Sequence, residues 1–463
     1  MDETRLSRVW LGRLPAVVAG ALAGIATVVL AGTAVAHRLV EPASAPFIEA
    51  THVPPLLTVH GEQAELRYDV YCGDGEADED VDTACAADGT AFVRAGNSGP
   101  FREIALLEDR GASEGRFVAV VPDEVARSAT GFWYHARFRS TEAGLTTSVP
   151  AGGADAPQRS LPLGRSTDVE LGAHEFGQTR ETEARIVDAA WGTRPAEVGL
   201  EQGKNLTPLG GSAFDVEADG TVVVLDEANK RLLRWRDGRV AVAVPVSVNG
   251  TLADMTIGED GTVYVLETTA SQGSNPLLRI FDRHGVAQSA TAIAGRPSQV
   301  RVGPAGPVVL QSQAAQWMPA VVGDRAVAVS EQVSAGESGR PLPDGRKVVI
   351  LRTGNEVRVA LVGTAGVLRS WVVRSETALA EVQLAEPRGT GIVLVTRVYT
   401  DDRSEYVVLV LDRHGVTRRF SVQSEEWADT APLSRFRLRG GSLYQLGSTP
   451  AGLFVDRYDL EVN

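Results

Sequence analysis

Two aspartates could do acid and base chemistry. Asp215 and Asp254 each precede an Asp-Gly pair and a second apolar run, and we place them at equivalent positions of two similar units. Two carboxylates that face each other across a channel can serve as general acid and general base, which is the chemistry of a hydrolase or lyase. Buried acids that accept hydrogen bonds within the fold are the alternative interpretation.

Three polar residues that follow the first unit, Asp226, Asn229 and Arg231, are also candidates for a site. Asp and Asn side chains bond their own backbone in turns. A guanidinium can bind a carboxylate and several carbonyls at once. We therefore interpret this trio as part of the architecture.

The chain has seven histidines, and no group of them has the spacing of a metal site. His284 and His414 lie in two similar Asp-Arg-His-Gly turns, which we assign to turn chemistry. His174 and its neighbour Glu175 could act as a base and its partner or as a metal pair, although no third ligand is evident, and packing against the rest of the fold is the alternative. We predict no metal site and no cofactor.

Trp317 and Met318 lie in a stretch, residues 313–319, that interrupts the regular pattern of the chain. Binding residues on a rigid scaffold usually lie on such loops, and an exposed tryptophan can anchor a protein or a sugar ring. We name these two as candidate binding residues. A tryptophan that covers the core is the alternative.

The composition limits the class of protein. Of the 463 residues, 43% are hydrophobic and 22% are charged, which is typical of a globular chain and excludes a mostly disordered or multiply membrane-spanning one. The formal net charge is -14. Because such a chain repels a phosphate backbone, we predict no nucleic-acid partner.

Residues 14–36 form an uncharged apolar run that is long enough to cross a bilayer as one helix. Three arginines precede the run, so residues 1–13 are expected in the cytoplasm and the body of the chain outside. We predict a transmembrane signal anchor. A signal peptide cleaved after Ala36, which would release a secreted protein, is the alternative.

The only two cysteines, Cys72 and Cys85, flank a loop rich in Gly, Asp and Glu. In an oxidising compartment two cysteines at this spacing are expected to form one disulfide. Too few other ligands lie nearby for a zinc site. The acidic loop could bind calcium, but its spacing differs from that of an EF-hand, and we interpret it as a solvated loop.

The chain ahead of residue 150 predicts a small β domain. A spacer rich in proline and alanine occupies residues 37–54. Alternating strand patterns then recur at residues 64–72, 90–94, 116–121 and 132–139. Since no helical periodicity accompanies them, we predict a β-sandwich over residues 55–150, followed by a connector over residues 151–183.

A repeated unit determines the predicted fold of the remainder. A glycine turn between two apolar strands recurs at Gly220, Gly261, Gly306, Gly345, Gly389 and Gly440, at spacings of 41, 45, 39, 44 and 51 residues. This period, with four strands per unit, is that of a propeller blade, so we predict an all-β chain with a six-bladed β-propeller over residues 184–463. The last unit runs out of chain, and the strand pattern of residues 184–190 is expected to complete it and close the ring.

The first unit resembles a known family. Phe214-Asp215-Val216, Asp219-Gly220 and the stretch from Val224 to Leu232 are similar to the NHL repeat of six-bladed propellers. The resemblance implies a fold and not an activity. The order of anchor, small β domain and ring also resembles that of uncharacterised membrane-anchored envelope proteins of high-GC Gram-positive bacteria.

Together these patterns favour a binding or scaffold module over an enzyme. A rigid β scaffold without a recognisable catalytic constellation would present one face to a protein or glycan partner at the cell envelope. An exported hydrolase or lyase that uses Asp215 and Asp254 at the channel is the alternative.

Overall fold

The computed structural model describes residues 46–461, apart from residue 60 and residues 74–85, 110–114, 204–206, 212, 249–252, 269–274, 313 and 429–433. The predicted cytoplasmic segment 1–13, the predicted anchor 14–36 and the acidic loop before Cys85 lie outside the described residues. Within the described ranges, no helix is long and apolar enough to span a membrane.

Residues 47–163 form two β-sheets around one core, and we call this part the two-sheet region. Its elements are β1 (Phe47–His52), β2 (Leu57–Val59), β3 (Glu65–Gly73), β4 (Ala87–Ala95), β5 (Arg102–Ala105), β6 (Leu107–Glu108), β7 (Arg116–Val120), α1 (Asp123–Ala126), β8 (Phe132–Ser140), β9 (Thr146–Val149) and β10 (Gln158–Leu163). One sheet has the order β1-β3-β7-β6, and the other has the order β2-β10-β8-β4-β5 with β9 beside β8. Buried side chains from both sheets, such as Tyr68 and Phe138, meet in the core between them, because successive residues of a strand point to opposite faces.

The two-sheet region is larger than the predicted sandwich of residues 55–150. β1 lies within the predicted spacer and pairs antiparallel with β3, with Phe47 opposite Gly73. β10 lies within the predicted connector and pairs with β2 and β8. Both strands are short and flanked or interrupted by proline, so their local pattern is that of a linker.

The rest of the described chain is nearly all β. Its elements are β11 (Thr167–Glu170), β12 (Ala184–Ala190), β13 (Ala213–Val216), β14 (Val222–Asp226), β15 (Arg231–Arg236), β16 (Arg239–Pro245), β17 (Asp254–Ile257), β18 (Val263–Glu267), β19 (Leu277–Phe281), β20 (Ala287–Ala292), β21 (Pro297–Gly303), β22 (Gly306–Gln311), β23 (Gln316–Pro319), β24 (Val321–Val322), β25 (Arg325–Ala326), α2 (Val329–Ser334), β26 (Glu337–Ser338), β27 (Arg340–Pro341), β28 (Lys347–Thr353), β29 (Glu356–Gly363), β30 (Gly366–Arg374), β31 (Ala378–Arg388), β32 (Gly391–Tyr399), β33 (Ser404–Asp412), β34 (Gly415–Gln423), β35 (Phe436–Arg439), β36 (Ser442–Thr449) and β37 (Gly452–Asp459).

Apart from β24 and β25, which form a two-stranded sheet of their own, these strands form six sheets, which we number in chain order of their first strands. The orders are β13-β14-β15-β16, β17-β18-β19-β20, β21-β22-β23-β26, β27-β28-β29-β30 with β11 beside β30, β31-β32-β33-β34, and β35-β36-β37-β12. Five of the six glycines of the predicted repeat lie between the first and second strands of a sheet, Gly306 begins the second strand of its sheet, and all six have positive φ. Gly220, for example, has a φ of 85°, which glycine adopts without steric cost.

The strand predicted over residues 184–190 is confirmed as β12, with the same bounds. β12 pairs antiparallel with β37, with Ala190 opposite Gly452 and Ala184 opposite Arg457. The first strands of neighbouring sheets contact one another from β13 through β17 to β21, and β31 contacts β35, which in turn contacts β13. Hydrophobic clusters fill the spaces between most successive sheets, as Phe281 and Val223 do between the first and second sheets.

The two-sheet region packs on the fourth sheet. Leu57 and Leu161 belong to one apolar cluster with Val349 and Val372. Beyond this contact the chain continues as β11, which pairs parallel with β30 and places Thr167 opposite Trp371. The predicted connector is therefore partly a strand that covers the outer edge of the fourth sheet, where an unpaired edge would otherwise remain.

Candidate functional site

Charged residues line the first strands of all six sheets. They include Asp215 in β13, Asp254 in β17, Arg301 in β21, Arg340 in β27, Glu386 in β31 and Arg437 in β35. Acids and arginines lie close together here, and Arg340, for example, pairs with Glu386.

Both aspartates named from the sequence are ion-paired to arginine. Arg437 Nε lies 3.4 Å from Asp215 Oδ1, and its Nη2 lies 3.6 Å from Asp254 Oδ1. Arg301 Nη1 lies 2.7 Å from the other oxygen of Asp254. The structure thus brings the two aspartates close together, as the hypothesis of a shared site requires. The positively charged guanidinium of Arg437, however, lies between them.

The surroundings of Asp254 keep its carboxylate ionised. Burial alone would raise the pKa of Asp254, but the charges of Arg301 and Arg437 and a hydrogen bond from Ser434 outweigh burial and lower it. The backbone N–H of Val300 donates to the same carboxylate at 2.8 Å. A general acid needs a raised pKa and a general base needs a free lone pair, so this geometry favours the alternative of buried, hydrogen-bonded acids.

Asp215 and Asp254 are not at equivalent positions, which corrects the sequence-based placement. Asp254 lies opposite Leu266 in its sheet, and Ala213 is the residue that lies opposite the corresponding Leu225. Thr256 corresponds to Asp215, and its hydroxyl donates to Asp215 Oδ2 at 3.1 Å. The two sequences look alike because both have an acid before the turn, at different distances from its glycine.

Asp226, Asn229 and Arg231 form one hydrogen-bonded cluster. The fully buried Asp226 accepts from Asn229 Nδ2 at 2.8 Å and from Arg231 Nε at 2.8 Å. It also accepts from the backbone N–H of Gly199, while Arg231 Nη2 donates to the carbonyl of Glu197. The trio therefore ties the segment after β12 to the first sheet, as the architectural interpretation predicts.

Trp317 and Met318 lie in β23, the third strand of its sheet, and not on a loop. Their exposed fractions are 7% and 3%, so Trp317 is not the exposed anchor that binding would require. The sequence 313–319 hides this strand, because its apolar run is only a few residues long. Burial favours the alternative in which Trp317 covers the core. Met318 also lines a small cavity of about 130 Å³.

His284 and His414 are exposed in the turns between the third and fourth strands of their sheets. His174 is buried, and its partner is Glu405 rather than Glu175, with 2.9 Å between Nε2 and Oε2. The backbone N–H of Gly177 donates to the same carboxylate at 2.6 Å. These bonds hold the connector against β33, which is the packing role given as the alternative for His174.

Cys72 is the second-last residue of β3 and has no free thiol. Cys85 lies outside the described residues. The disulfide between the two cysteines therefore stays a prediction.

A polar cavity lies at the junction of the two-sheet region with the third and fourth sheets, and we call it the junction cavity. Its volume is about 450 Å³. Trp133 and Arg159 line it from the two-sheet region, and Glu337 and Lys347 from the other side, where they form an ion pair. The side chains come from β8, β10, β26 and β28, which are far apart in the sequence.

Arg159 lines this cavity without an ion pair in the described part of the chain. Its guanidinium carbon lies 4.5 Å from the centre of the Trp133 ring, and its Nη2 donates to the carbonyl of Thr130. Its Nε is buried and has no hydrogen-bond partner in the described part of the chain. Burial lowers the pKa of Arg159, although arginine stays protonated near neutral pH.

The sequence did not single out the residues of the junction cavity. Trp133 lies in the strand predicted over residues 132–139. Arg159 lies in the predicted connector over residues 151–183. The available signal was the outward series Trp133, His135 and Arg137, which places bulky polar and aromatic side chains on the solvent face of β8.

Proteins similar to this chain are found among solved structures. No family model matches the chain, and no curated protein matches it. Solved structures with a similar fold are β-propeller-type proteins. Virginiamycin B lyase of Staphylococcus aureus is 12% identical with a TM-score of 0.31, covering 55% of this chain and 85% of its own.

Two further structures are similar to the same extent. BamB of Moraxella catarrhalis is 11% identical with a TM-score of 0.27, covering 56% of this chain and 99% of its own. AztD of Citrobacter koseri is 12% identical with a TM-score of 0.27, covering 81% of this chain and 92% of its own. At such values the similarity concerns the fold alone and carries no information about activity.

Proposed function

We propose that the protein is a membrane-anchored extracytoplasmic binding module for a protein or glycan partner at the cell envelope. Its body would be a six-bladed β-propeller with NHL-type repeats, preceded by a β-sandwich. Residues 14–36 would anchor it, or direct its secretion if they are cleaved. The junction cavity is the observation that carries the proposal of binding.

The junction cavity has the size and position of a ligand site. Ligand sites commonly measure about 300–1,000 Å³ and lie at interfaces between domains, and the cavity of about 450 Å³ falls in that range. It combines an aromatic ring with charged groups of both signs. Such a mixture orients a polar partner, while the aromatic surface contributes apolar contact.

The proposed propeller architecture rests on the six sheets. Each has at least four strands, and the first strand of the first sheet contacts the first strand of the sixth. β12 completes the sixth sheet from the other end of the chain. Six blades closed by an N-terminal strand account for these contacts without an open edge between first and last sheets.

The anchored location is tested by fractionation of cells that express the full chain. We expect the full chain in the membrane fraction, and its body digested by protease added to intact protoplasts. A variant without residues 14–36 should leave the membrane fraction. A body that protease reaches only after lysis would contradict the proposed orientation.

The binding role is tested by site-specific crosslinking in cells. A photoreactive amino acid replaces Thr364, an exposed residue of the cavity wall, in the full-length chain. The control replaces Thr417, an exposed threonine of β34 outside the cavity. We expect one defined product from position 364 and none from position 417. No product above background at position 364, in repeated trials, would overturn the proposal.

A further inference from the structure

The sheet that lines the junction cavity continues beyond it as a surface rich in arginine and aromatic rings. On β8 the side chains of Trp133, His135 and Arg137 point away from the core, since the residues between them are buried core residues. In register beside them lie Arg159 of β10, opposite Trp133, and Phe92 of β4, opposite His135.

Arg94 extends the same surface on β4, where it lies opposite Trp133. Arg159, Trp133 and Arg94 thus occupy three neighbouring strands in one row. Adjacent strands are about 4.8 Å apart, so this row spans roughly 10 Å. We call the surface formed by Arg94, Arg137, Arg159, Trp133, His135, Phe92 and Phe101 the cationic face.

The three arginines of the cationic face lack acidic partners. In the described ranges, no carboxylate forms an ion pair with Arg94, Arg137 or Arg159, and the hydrogen bonds of Arg94 and Arg159 go to backbone carbonyls. The other surface of the two-sheet region differs. There Arg67 pairs with Glu65, and Arg116 pairs with Asp69.

Aromatic rings hold these arginines instead of carboxylates. Arg94 lies 4.4 Å from the ring centre of Phe101, and Arg137 lies 5.8 Å from that of Phe92. A cation over an aromatic face keeps its charge available to a second, anionic partner. The face is therefore positively charged on a chain whose formal net charge is -14.

His135 lies between the rings of Phe92 and Phe101, with ring centres 4.6 Å and 4.9 Å away. Burial, and then the charges of Arg137 and Arg94, lower its pKa to about 4. Its Nδ1 is buried and has no partner within the part of the chain that the structure describes. Arg94 and Arg137 thus lie close enough to His135 to disfavour its protonated form, in keeping with the excess of arginines on this face.

We propose that the cationic face and the adjoining junction cavity bind an acidic glycan, whose carboxylate or phosphate groups pair with the arginines while its sugar rings stack on the aromatic side chains. This inference rests on the proposed binding function and specifies the partner. A planar guanidinium presents two N–H groups in the geometry of a carboxylate or phosphate.

Charge complementarity and shape favour a glycan over an acidic peptide. In the row Arg159, Trp133 and Arg94, an aromatic ring lies between two cations. This order suits a polysaccharide in which sugar rings alternate with anionic groups. A carboxylate of the protein itself, Glu103, lies at the β5 margin of the face, opposite Phe92. The wall of the junction cavity adds Asp155, while its Glu337 is paired with Lys347. The three arginines outnumber Glu103 and Asp155, so an anionic ligand gains on balance.

The test measures binding of defined polymers to the full-length chain in mild detergent by calorimetry. Polygalacturonate supplies carboxylates, phosphorylated dextran supplies phosphates, neutral dextran lacks both, and polyglutamate supplies carboxylates without sugar rings. We expect one or both acidic polysaccharides to bind, with an affinity that falls as salt rises. The polymer that binds more tightly identifies which anionic group the face prefers.

Variants assign the binding to the cationic face. Joint substitution Arg94→Gln, Arg137→Gln and Arg159→Gln should weaken binding at least tenfold, and the matching three Arg→Lys changes should weaken it less, because lysine keeps the charge but loses the planar fork. Arg239→Gln is the control, since Arg239 is exposed on β16 and belongs to another sheet. It should change the affinity less than twofold. Circular dichroism and melting temperature establish that each variant folds.

Three results would overturn this inference. They are equal affinity for neutral dextran, an equal loss of affinity in Arg239→Gln, and arginine-dependent binding of polyglutamate as tight as that of the polysaccharides. If the triple Arg→Gln variant still gives the crosslink at position 364, the binding module stands and the acidic-glycan inference fails. If no crosslink forms in the wild type, the proposed function itself fails.

Discussion

Glu62 and Arg358 form a two-point ion pair between the two-sheet region and the fourth sheet. Arg358 Nη1 lies 2.6 Å from Glu62 Oε2, and Nη2 lies 2.8 Å from Oε1. Arg358 Nη1 also donates to the carbonyl of Leu57 at 3.0 Å. With the apolar cluster around Leu161, this pair fixes the two walls of the junction cavity relative to each other.

Glu62→Gln should lower the stability of the protein. The hydrogen bond from Arg358 is the main reason why the pKa of Glu62 is lowered, and the variant replaces this charged bond by a weaker neutral one. We expect a loss of about 1 kcal/mol, since Glu62 is partly exposed. Thermal unfolding measures it.

The matched control is Glu65→Gln, because Glu65 pairs with Arg67 on the exposed surface of the same region. That change should leave the melting temperature nearly unaltered. Equal losses in both variants would contradict a specific role of Glu62 at the junction.

Asp254→Asn should destabilise the fold more than Asp215→Asn. Asp254 is 2% exposed and faces both Arg301 and Arg437, so its neutralisation leaves two arginines without this counter-charge. Removing one partner of a buried ion pair costs about 3–5 kcal/mol. Denaturant unfolding of both variants gives the comparison.

Asp215 is more exposed, and after its change to Asn, Asp254 still compensates Arg437. A larger loss of stability in Asp215→Asn would contradict the structural role assigned to Asp254. If the wild type has a hydrolytic activity and a stable Asp254→Asn variant has lost it, the result would instead support the alternative of a hydrolase that uses Asp215 and Asp254.

Asp226→Ala should cost about 3 kcal/mol, because it removes the acceptor of Arg231, Asn229 and the Gly199 N–H together. Asn229→Ala should cost about 1 kcal/mol, since it removes two neutral-donor hydrogen bonds and leaves the ion pair. Denaturant unfolding measures both. A ranking in the reverse order would show that the cluster is not organised around Asp226.

The stability of the protein should fall as the pH is lowered from 7 to 5, partly because of His52. Burial lowers the pKa of His52 from 6.5 to about 4. Between these values the unfolded chain takes up a proton that the folded chain does not, so acid favours unfolding. The contribution of His52 at pH 5 is about 2 kcal/mol.

His52→Gln should reduce the loss of stability between pH 7 and pH 5, as measured by denaturant unfolding at both pH values. Since the pKa of His135 is also lowered to about 4, part of the loss should remain. His284→Gln, in an exposed turn, is the control and should leave the pH dependence unchanged. An unaltered pH dependence in His52→Gln would contradict the buried neutral state of His52.

The sequence by itself determined the β architecture and its repeat. The predicted strands at residues 64–72 and 132–139 overlap β3 and β8, and the turn glycines, Gly220 among them, lie where the period placed them. The strand over residues 184–190 was found with its bounds because Val187 to Ala190 alternate between buried and exposed positions, although a bulge after Arg185 interrupts the pattern. Such signals are local, since strand alternation and positive φ act within a few residues.

Only the tertiary structure decided which side chains meet. His174 bonds Glu405, 231 residues away, rather than the adjacent Glu175. Trp133 and Arg159 become neighbours through strand register, and Arg437 compensates Asp254 across the ring of first strands. Long-range contacts determine the order of the sheets, the packing of one region on another and the choice of ionic partners. The energies of such contacts produce no periodic pattern in the sequence.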